Sequence, residues 1–188
     1  MNKRRIFIAI NLPEKIRKRL KEYQEKFDHL PVRWTKVPSL HITLVFIGYV
    51  DNEQMLAACK IAREVASKFD PFFISFKKIV LGPLGKAPRM IWLEGEAGKE
   101  LGELKKALEE ALLDGSTGFY KPEKRAFNPH ITLARVRAGQ EELLKDAATQ
   151  IEEDFKAQFD VNSIEVMESN LKFDGAEYAT LESCPVGE

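Results

Sequence analysis

His41-Ile42-Thr43-Leu44 and His130-Ile131-Thr132-Leu133 write one tetrapeptide twice in a chain of 188 residues that holds only three histidines. In an extended strand residues i and i+2 share a face, so each copy sets an imidazole beside a hydroxyl and turns its aliphatic residues toward packing. Two such faces brought together would carry two proton shuttles. That arrangement suits in-line displacement at phosphorus, where a base takes the proton of the entering oxygen and an acid gives one to the departing oxygen. An unperturbed imidazole pKa of about 6.5 lets one ring be neutral while the other is charged. The threonine hydroxyls can donate to the non-bridging oxygens, where charge gathers.

A lone His-Thr pair in a strand is usually a half-buried polar pair, and it is the recurrence that favours a shared site. A metal site is the sharper rival, because imidazole is the commonest metal ligand. Neither copy has a His-x-x-x-His, Cys-x-x-Cys or Glu-x-x-His companion, and Cys59 and Cys184 are far apart in sequence, so no metal or cofactor is expected. Acyl transfer fares worse, since neither cysteine has a nearby histidine and Gly115-Ser116 lacks a nucleophile-elbow context. There is no glycine loop of the triphosphate- or dinucleotide-cradling type. A 2′,3′-cyclic phosphate fits the paired-imidazole chemistry, because its strained ring opens with water as nucleophile. The pattern alone does not single it out.

The elements that must position these residues are legible in outline. Pro38 and Pro129 precede the motifs and favour extended chain, while Val45 to Ile47 and Ala134 to Val136 continue them as strands before Gly48 and Gly139. Ile6 to Asn11 reads as a strand. Pro13 opens a helix with Ile16, Leu20, Tyr23 and Phe27 as its apolar stripe. Val32 to Thr35 is extended, and Asp51 with Gln54 forms a capping box for a second helix carrying Met55, Cys59, Ala62, Ala66 and Phe69, which Pro71 ends. Strands at Phe72 to Leu81 and Arg89 to Leu93 flank a Gly82-Pro83-Leu84-Gly85 turn. A third helix runs from Lys99 to Asp114 on Leu101, Leu104, Leu108 and Leu112. The aperiodic stretch Gly115 to Arg125 is either a lid or a surface connection. A fourth helix is expected over Glu141 to Phe155, burying Leu144, Ala148, Ile151 and Phe155. Strands follow at Val161 to Met167, Asn170 to Phe173 and Tyr178 to Leu181.

Each half thus holds strands, a motif strand and a helix after it, with the motifs 89 residues apart (130 − 41). The expected architecture is α+β: a single duplicated domain over 1–188, bilobal with a pseudo-twofold, two antiparallel sheets lining a central cleft and helices packed outside. Lys plus Arg and Asp plus Glu both count 29, so the formal net charge is zero, which argues against a general nucleic-acid coat and leaves room for a local basic patch. Arg5, Arg33, Lys36, Arg89, Lys121, Lys124 and Arg125 could feed it. Trp34 and Trp92 could stack a base or simply pack. Two isolated cysteines give no disulfide framework. Lys3-Arg4-Arg5 precedes only five apolar residues before Asn11, too few for a signal core or a membrane span, and the chain reads as cytoplasmic.

The residues also carry a resemblance. The paired His-x-Thr-x tetrapeptides, Arg5 to Ile10 with Leu12-Pro13, Leu40 to Gly48, Arg125 to Arg135, and Met167-Glu168-Ser169 followed by Leu171, Gly175 and Tyr178 resemble the two-histidine phosphoesterase superfamily, in particular its RNA 2′,3′-cyclic phosphodiesterase (2′-5′ RNA ligase-like) branch. The resemblance implies a basic cleft acting without metal on RNA 2′,3′-cyclic phosphate termini or cyclic nucleotides and leaving a 2′-phosphate. Some members also join or cleave 2′-5′ linkages reversibly without ATP. By motif position it implies that His41 is the proton donor, His130 the acceptor, and Thr43 and Thr132 the phosphate-binding hydroxyls. The near-identical repeats could not assign the histidine roles by themselves. It further implies a base-contacting Phe46 and a phosphate-contacting Arg135. Strict alternation objects to both, since an offset of five from the histidine points to the opposite face unless the strand bulges, twists or ends. A non-catalytic nucleotide or RNA-end binding module using the same pocket is the alternative. No membrane or protein partner is implied.

Overall fold

The computed structural model describes residues 3–83, 87–96, 98–114, 118–123, 126–137, 139–172 and 175–187. Among these, strands β1 (Arg4–Asn11), β2 (Val32–Trp34), β3 (His41–Val50), β4 (Phe72–Gly82), β5 (Met90–Gly95), β6 (His130–Val136), β7 (Glu153–Val161), β8 (Ser163–Lys172) and β9 (Gly175–Pro185) form one antiparallel sheet in the order β7-β4-β5-β6-β3-β1-β8-β9, with β2 added on β6. The fold is α+β, a curled, half-barrel-like sheet with helices packed on it. Two separate sheets were expected, and here the structure differs. Half-sheets β3-β1-β8-β9 and β7-β4-β5-β6 are joined where β3 meets β6, in one registered pair, Ile42 opposite Ile131.

The two half-sheets are also not the two halves of the sequence. β8 and β9 return to pair beside N-terminal β1, while β2 crosses to β6. Helix α1 (Glu14–Lys26) follows β1 yet fastens to the other side: Gln24 Nε2 donates to the Leu133 carbonyl of β6 at 3.3 Å, and Tyr23 Oη to the carbonyl of Ile151, just ahead of β7, at 2.6 Å. Helix α3 (Lys99–Asp114) follows β5 and packs on α2 (Asn52–Ala66) and β3. Each half is therefore clamped by a helix that springs from the other.

Local chemistry explains most of these elements. The expected capping box closes α2, with the Gln54 N–H donating to Asp51 Oδ1 at 2.9 Å and the Asp51 N–H to Gln54 Oε1 at 3.0 Å. Leu101, Leu104, Leu108 and Leu112 of α3 are all buried, as their spacing required. The fourth helix is the main departure. It is two short pieces, α4 (Glu141–Asp146) and α5 (Ala148–Ile151), and Phe155 lies in β7. Phe155, Phe159 and Val161 bury at a period of two, a pattern that the i, i+4 spacing of Ile151 and Phe155 masks in the sequence. Leu84, Gly85, Lys124, Arg125, Phe173 and residues 115–117 of the aperiodic stretch lie outside the described residues. The described part of that stretch is tied to α3, where the buried Tyr120 donates to Glu109 at 2.8 Å.

Three bulges shape the central strands. Against β1, Thr43 pairs with Ala9 and Val45 with Ile8, so Leu44 is an extra residue; Phe46 pairs with Phe7 and Gly48 with Ile6, so Ile47 is another. Against β5, Thr132 pairs with Trp92 and Ala134 with Ile91, leaving Leu133 extra. Leu44 and Val45 are both buried, as are Leu133 and Ala134. Burying a whole aliphatic side chain stabilises by about 1.5–3 kcal/mol, which offsets the ladder lost at a bulge. Gly48 takes φ of +100° at the second bulge, a conformation that costs other residues about 1–2 kcal/mol. Gly48→Ala should therefore lower the urea unfolding free energy by about that amount. Gly102→Ala should raise it by about 0.5–1 kcal/mol, since Gly102 lies in α3 and its added Cβ would meet nothing within 4 Å. Equal effects at the two positions would remove the argument from φ.

Candidate active site

The register around Ile42 and Ile131 sets the motif side chains. With those two isoleucines opposite and buried in the core, one step along each antiparallel strand sets His41 across from Thr132 and Thr43 across from His130, on the opposite face. That face lines an open cleft bordered by His41, Thr43, His130, Thr132 and Arg135 together with Phe46. The odd-offset objection is thereby resolved. The bulges at Leu44 and Leu133 each insert one residue, reversing the alternation and bringing Phe46 and Arg135 round to the histidine face.

The imidazoles are held alike. His41 Nδ1 lies 2.8 Å from the Ser39 carbonyl and His130 Nδ1 2.8 Å from the Asn128 carbonyl, each two residues back. A carbonyl only accepts, so both Nδ1 atoms carry hydrogen and Nε2 is the titrating atom on each ring. His41 Nε2 lies 3.1 Å from Thr43 Oγ1, which donates to it when the ring is neutral. Aromatic neighbours fix the planes. Phe7 and Tyr178 each approach the His41 ring at 4.9 Å, and Trp92 stacks on His130 at 4.0 Å.

Burial lowers the pKa of His41 most, and the neighbouring His130 and Arg135 lower it further, against the opposing pull of the Ser39 carbonyl. The cationic surroundings extend outward. Arg5 donates to Ser169 Oγ at 3.2 Å and lies 4.7 Å over the Phe46 ring. Arg33 in β2 stands directly opposite Arg135 in β6. Among the described residues neither guanidinium has a carboxylate partner, and like charges facing each other repel until an anion arrives.

Of the other sequence candidates, Arg5 lines the cleft and Arg33, Lys36, Arg89 and Lys121 do not; Lys36 pairs with Glu177 at 3.2 Å. Trp92 packs on His130, and Trp34 packs edge-on to Tyr23 at 6.2 Å. Sequence reasoning had no signal for Ser39 or Thr35, which join the lining from the segment ahead of β3, nor for Phe7 as the floor beneath His41. Residues 118–123 contribute nothing to the lining. Burial raises the Cys184 pKa to about 12 and also raises that of Cys59, which keeps both thiols protonated and poorly nucleophilic. Among the described residues no group of three or more His, Cys, Asp or Glu side chains is arranged to hold a metal, and no helix is long and apolar enough to cross a membrane.

Two outcomes follow from this geometry. His41 should titrate below 6.5 in an NMR pH series of the empty protein, and a bound 2′-nucleotide should move it upward, because the phosphate charge favours the imidazolium. With a folded-state pKa below that of the unfolded chain, stability is full above about 6.5 and falls as pH drops toward the folded value. A His41 value at or above 6.5 would contradict the burial argument. The second outcome concerns Trp92, which rests on Gly82 with no space between: a Cβ at Gly82 would lie 2.3 Å from the indole. Gly82→Ala should displace Trp92 and disturb His130, seen as a changed His130 NMR signal and a lowered melting temperature. Wild-type values of both would disprove the contact.

The sequence model of the 2′-5′ RNA ligase superfamily matches residues 12–172. The chain is 29% identical to the RNA 2′,3′-cyclic phosphodiesterase of Methanocaldococcus jannaschii, covering 94% of this chain and 98% of that one. It is 32% identical to the Bacillus subtilis protein of the same name, over 72% of this chain and 73% of that one. The crystal structure of a Thermus thermophilus protein superposes with a TM-score of 0.80 at 26% identity, over 97% and 98% of the two chains. Escherichia coli LigT complexed with 3′-AMP shares the fold with a TM-score of 0.78 at 23% identity, over the full length of both. With its repeated His-x-Thr motifs facing one cleft and a family match that spans both motifs and most of the chain, the chain belongs to the 2′-5′ RNA ligase superfamily.

Proposed function

We propose that the protein hydrolyses RNA 2′,3′-cyclic phosphate ends to 2′-phosphomonoesters without a metal, with His41 as general acid and His130 as general base. The observation that supports this most is the like pinning of both rings: each Nδ1–H is fixed to a carbonyl two residues back, which leaves two Nε2 atoms for proton transfer at one cleft. In the reaction, water attacks phosphorus and gives its proton to His130 Nε2, the P–O3′ bond breaks, and His41 Nε2–H protonates O3′. The products are a 2′-phosphomonoester and a free 3′-hydroxyl.

The anionic substrate supplies the charge that His41 needs. The ring is kept neutral in the empty cleft by burial and by cations, and a phosphate between the histidines favours its protonation. Once Nε2 carries hydrogen it no longer accepts from Thr43, whose hydroxyl is then released to donate to a non-bridging oxygen. Thr132 and Arg135 do the same from the other strand, and Phe46 contacts the base. A ribose 5′-hydroxyl in place of water would run the same steps toward a 2′-5′ linkage.

His41→Ala and His130→Ala should each lower kcat on a cyclic mononucleotide by about 10²–10⁴-fold while the circular dichroism spectrum and melting temperature stay near wild type. Wild-type turnover should survive EDTA, and chromatography should identify the 2′-isomer. Retained turnover in either variant, or loss with the chelator, would defeat the mechanism. Tight binding of a 2′-nucleotide without turnover in the wild type would make the cleft a binding module.

A further inference from the structure

The bulges that bring Phe46 to the cleft do not stop there. With Ile47 extra and Gly48 opposite Ile6 on the core side, the next residue, Tyr49, faces the cleft side again, opposite Arg5 of β1. Thr43, Phe46 and Tyr49 thus recur every third residue on one face, where an unbulged strand would turn Phe46 away. Val50 beyond is fully buried, as that assignment requires. Phe46 is 36% exposed and Tyr49 61%, although large aromatic side chains are ordinarily well covered.

We propose that Tyr49 extends the cleft into a second base-stacking position, so that the site takes the last two nucleotides of a single-stranded RNA end and prefers them to a lone cyclic nucleotide. This rests on the reading of the cleft as an RNA-end site. Phe46 and Tyr49 stand two pleats apart on the same face, about 7 Å along the strand, the kind of spaced aromatic pair on which successive bases of a single strand stack. Between them lies the charge such a strand needs. Arg5 sits over the Phe46 ring and opposite Tyr49, held by the Ser169 hydroxyl with no carboxylate partner among the described residues, so it can meet the phosphate that links the two nucleotides. The platform is continuous with the phosphate pocket, since Arg5 and Phe46 line that pocket and Tyr49 follows directly. Stacking without hydrogen-bond donors aimed at the base edges reads length and ignores sequence.

The test is direct binding, by calorimetry, of a dinucleotide ending in a 2′-phosphate and of the matching mononucleotide 2′-phosphate. Wild type should favour the dinucleotide by roughly five- to hundredfold, the worth of one stacked base. In Tyr49→Ala that ratio should fall at least about fivefold, and Tyr49→Phe should keep it, because the ring and not the hydroxyl stacks. Phe73→Ala, which removes an exposed ring in β4 outside the cleft lining, controls for loss of any surface aromatic and should leave the ratio as in wild type. A wild-type ratio near one, a ratio unmoved by Tyr49→Ala, or an equal loss in Phe73→Ala overturns the platform. Turnover of a cyclic mononucleotide by the same wild-type preparation reads the hydrolase proposal separately: a Tyr49-dependent ratio without turnover supports the platform and defeats the hydrolase.

Discussion

One cross-strand pair, Ile42 opposite Ile131, ties together two half-sheets that otherwise share no ladder, and the geometry of the cleft hangs on it. Because side chains alternate along a strand, seating those two isoleucines in the core commits His41, Thr43, His130 and Thr132 to the other side. A slip of one residue in either strand would bury a histidine and expose an isoleucine. The clamping helices guard the register from outside. Gln24 of α1 reaches the Leu133 carbonyl, the same carbonyl that accepts from the Thr35 N–H at 2.8 Å, so the backbone at the β6 bulge is satisfied even though it is buried.

The bulges are the second constraint, and their consequence is chemical. Leucine at the fourth motif position is the extra residue in both strands, and its burial beside the next apolar residue carries the sixth position back to the cleft. The duplication then diverges. The first strand offers an aromatic ring there and the second a guanidinium, so one arm of the cleft is apolar and the other cationic. Arg5 and Arg135 line the cleft beside two imidazoles and Arg33 stands opposite Arg135, all with no carboxylate partner among the described residues, in a chain whose formal charges sum to zero. Such an uneven distribution costs stability in the empty protein through mutual repulsion, a cost that an anion removes.

Where a single local rule decided an element, the sequence could be read directly. The Asp51–Gln54 capping box and the four leucines of α3 fall where their spacing placed them. Reading failed at β7 because Ile151 and Phe155 satisfy a helical spacing while Phe155 and Phe159 also satisfy a strand's, and the choice was made by pairing with β4, some 80 residues away in sequence. It failed again for the sheet as a whole. Nothing local in β8 states that it will lie beside β1, and the symmetry of the two motifs suggested a cut between halves that the chain crosses repeatedly.

By itself the sequence determined which side chains the motif strands set side by side: two His-x-Thr pairs, each with aliphatic residues alternating against it, in strands entered through proline. Those follow from composition and a period of two, which are local. Only the tertiary structure decided that the pairs face one cleft, that Phe46 and Arg135 turn toward it, and that Phe7, Tyr178 and Trp92 fix the rings. Register, bulges and strand neighbours are set by how distant apolar surfaces pack, and no window of sequence contains that information.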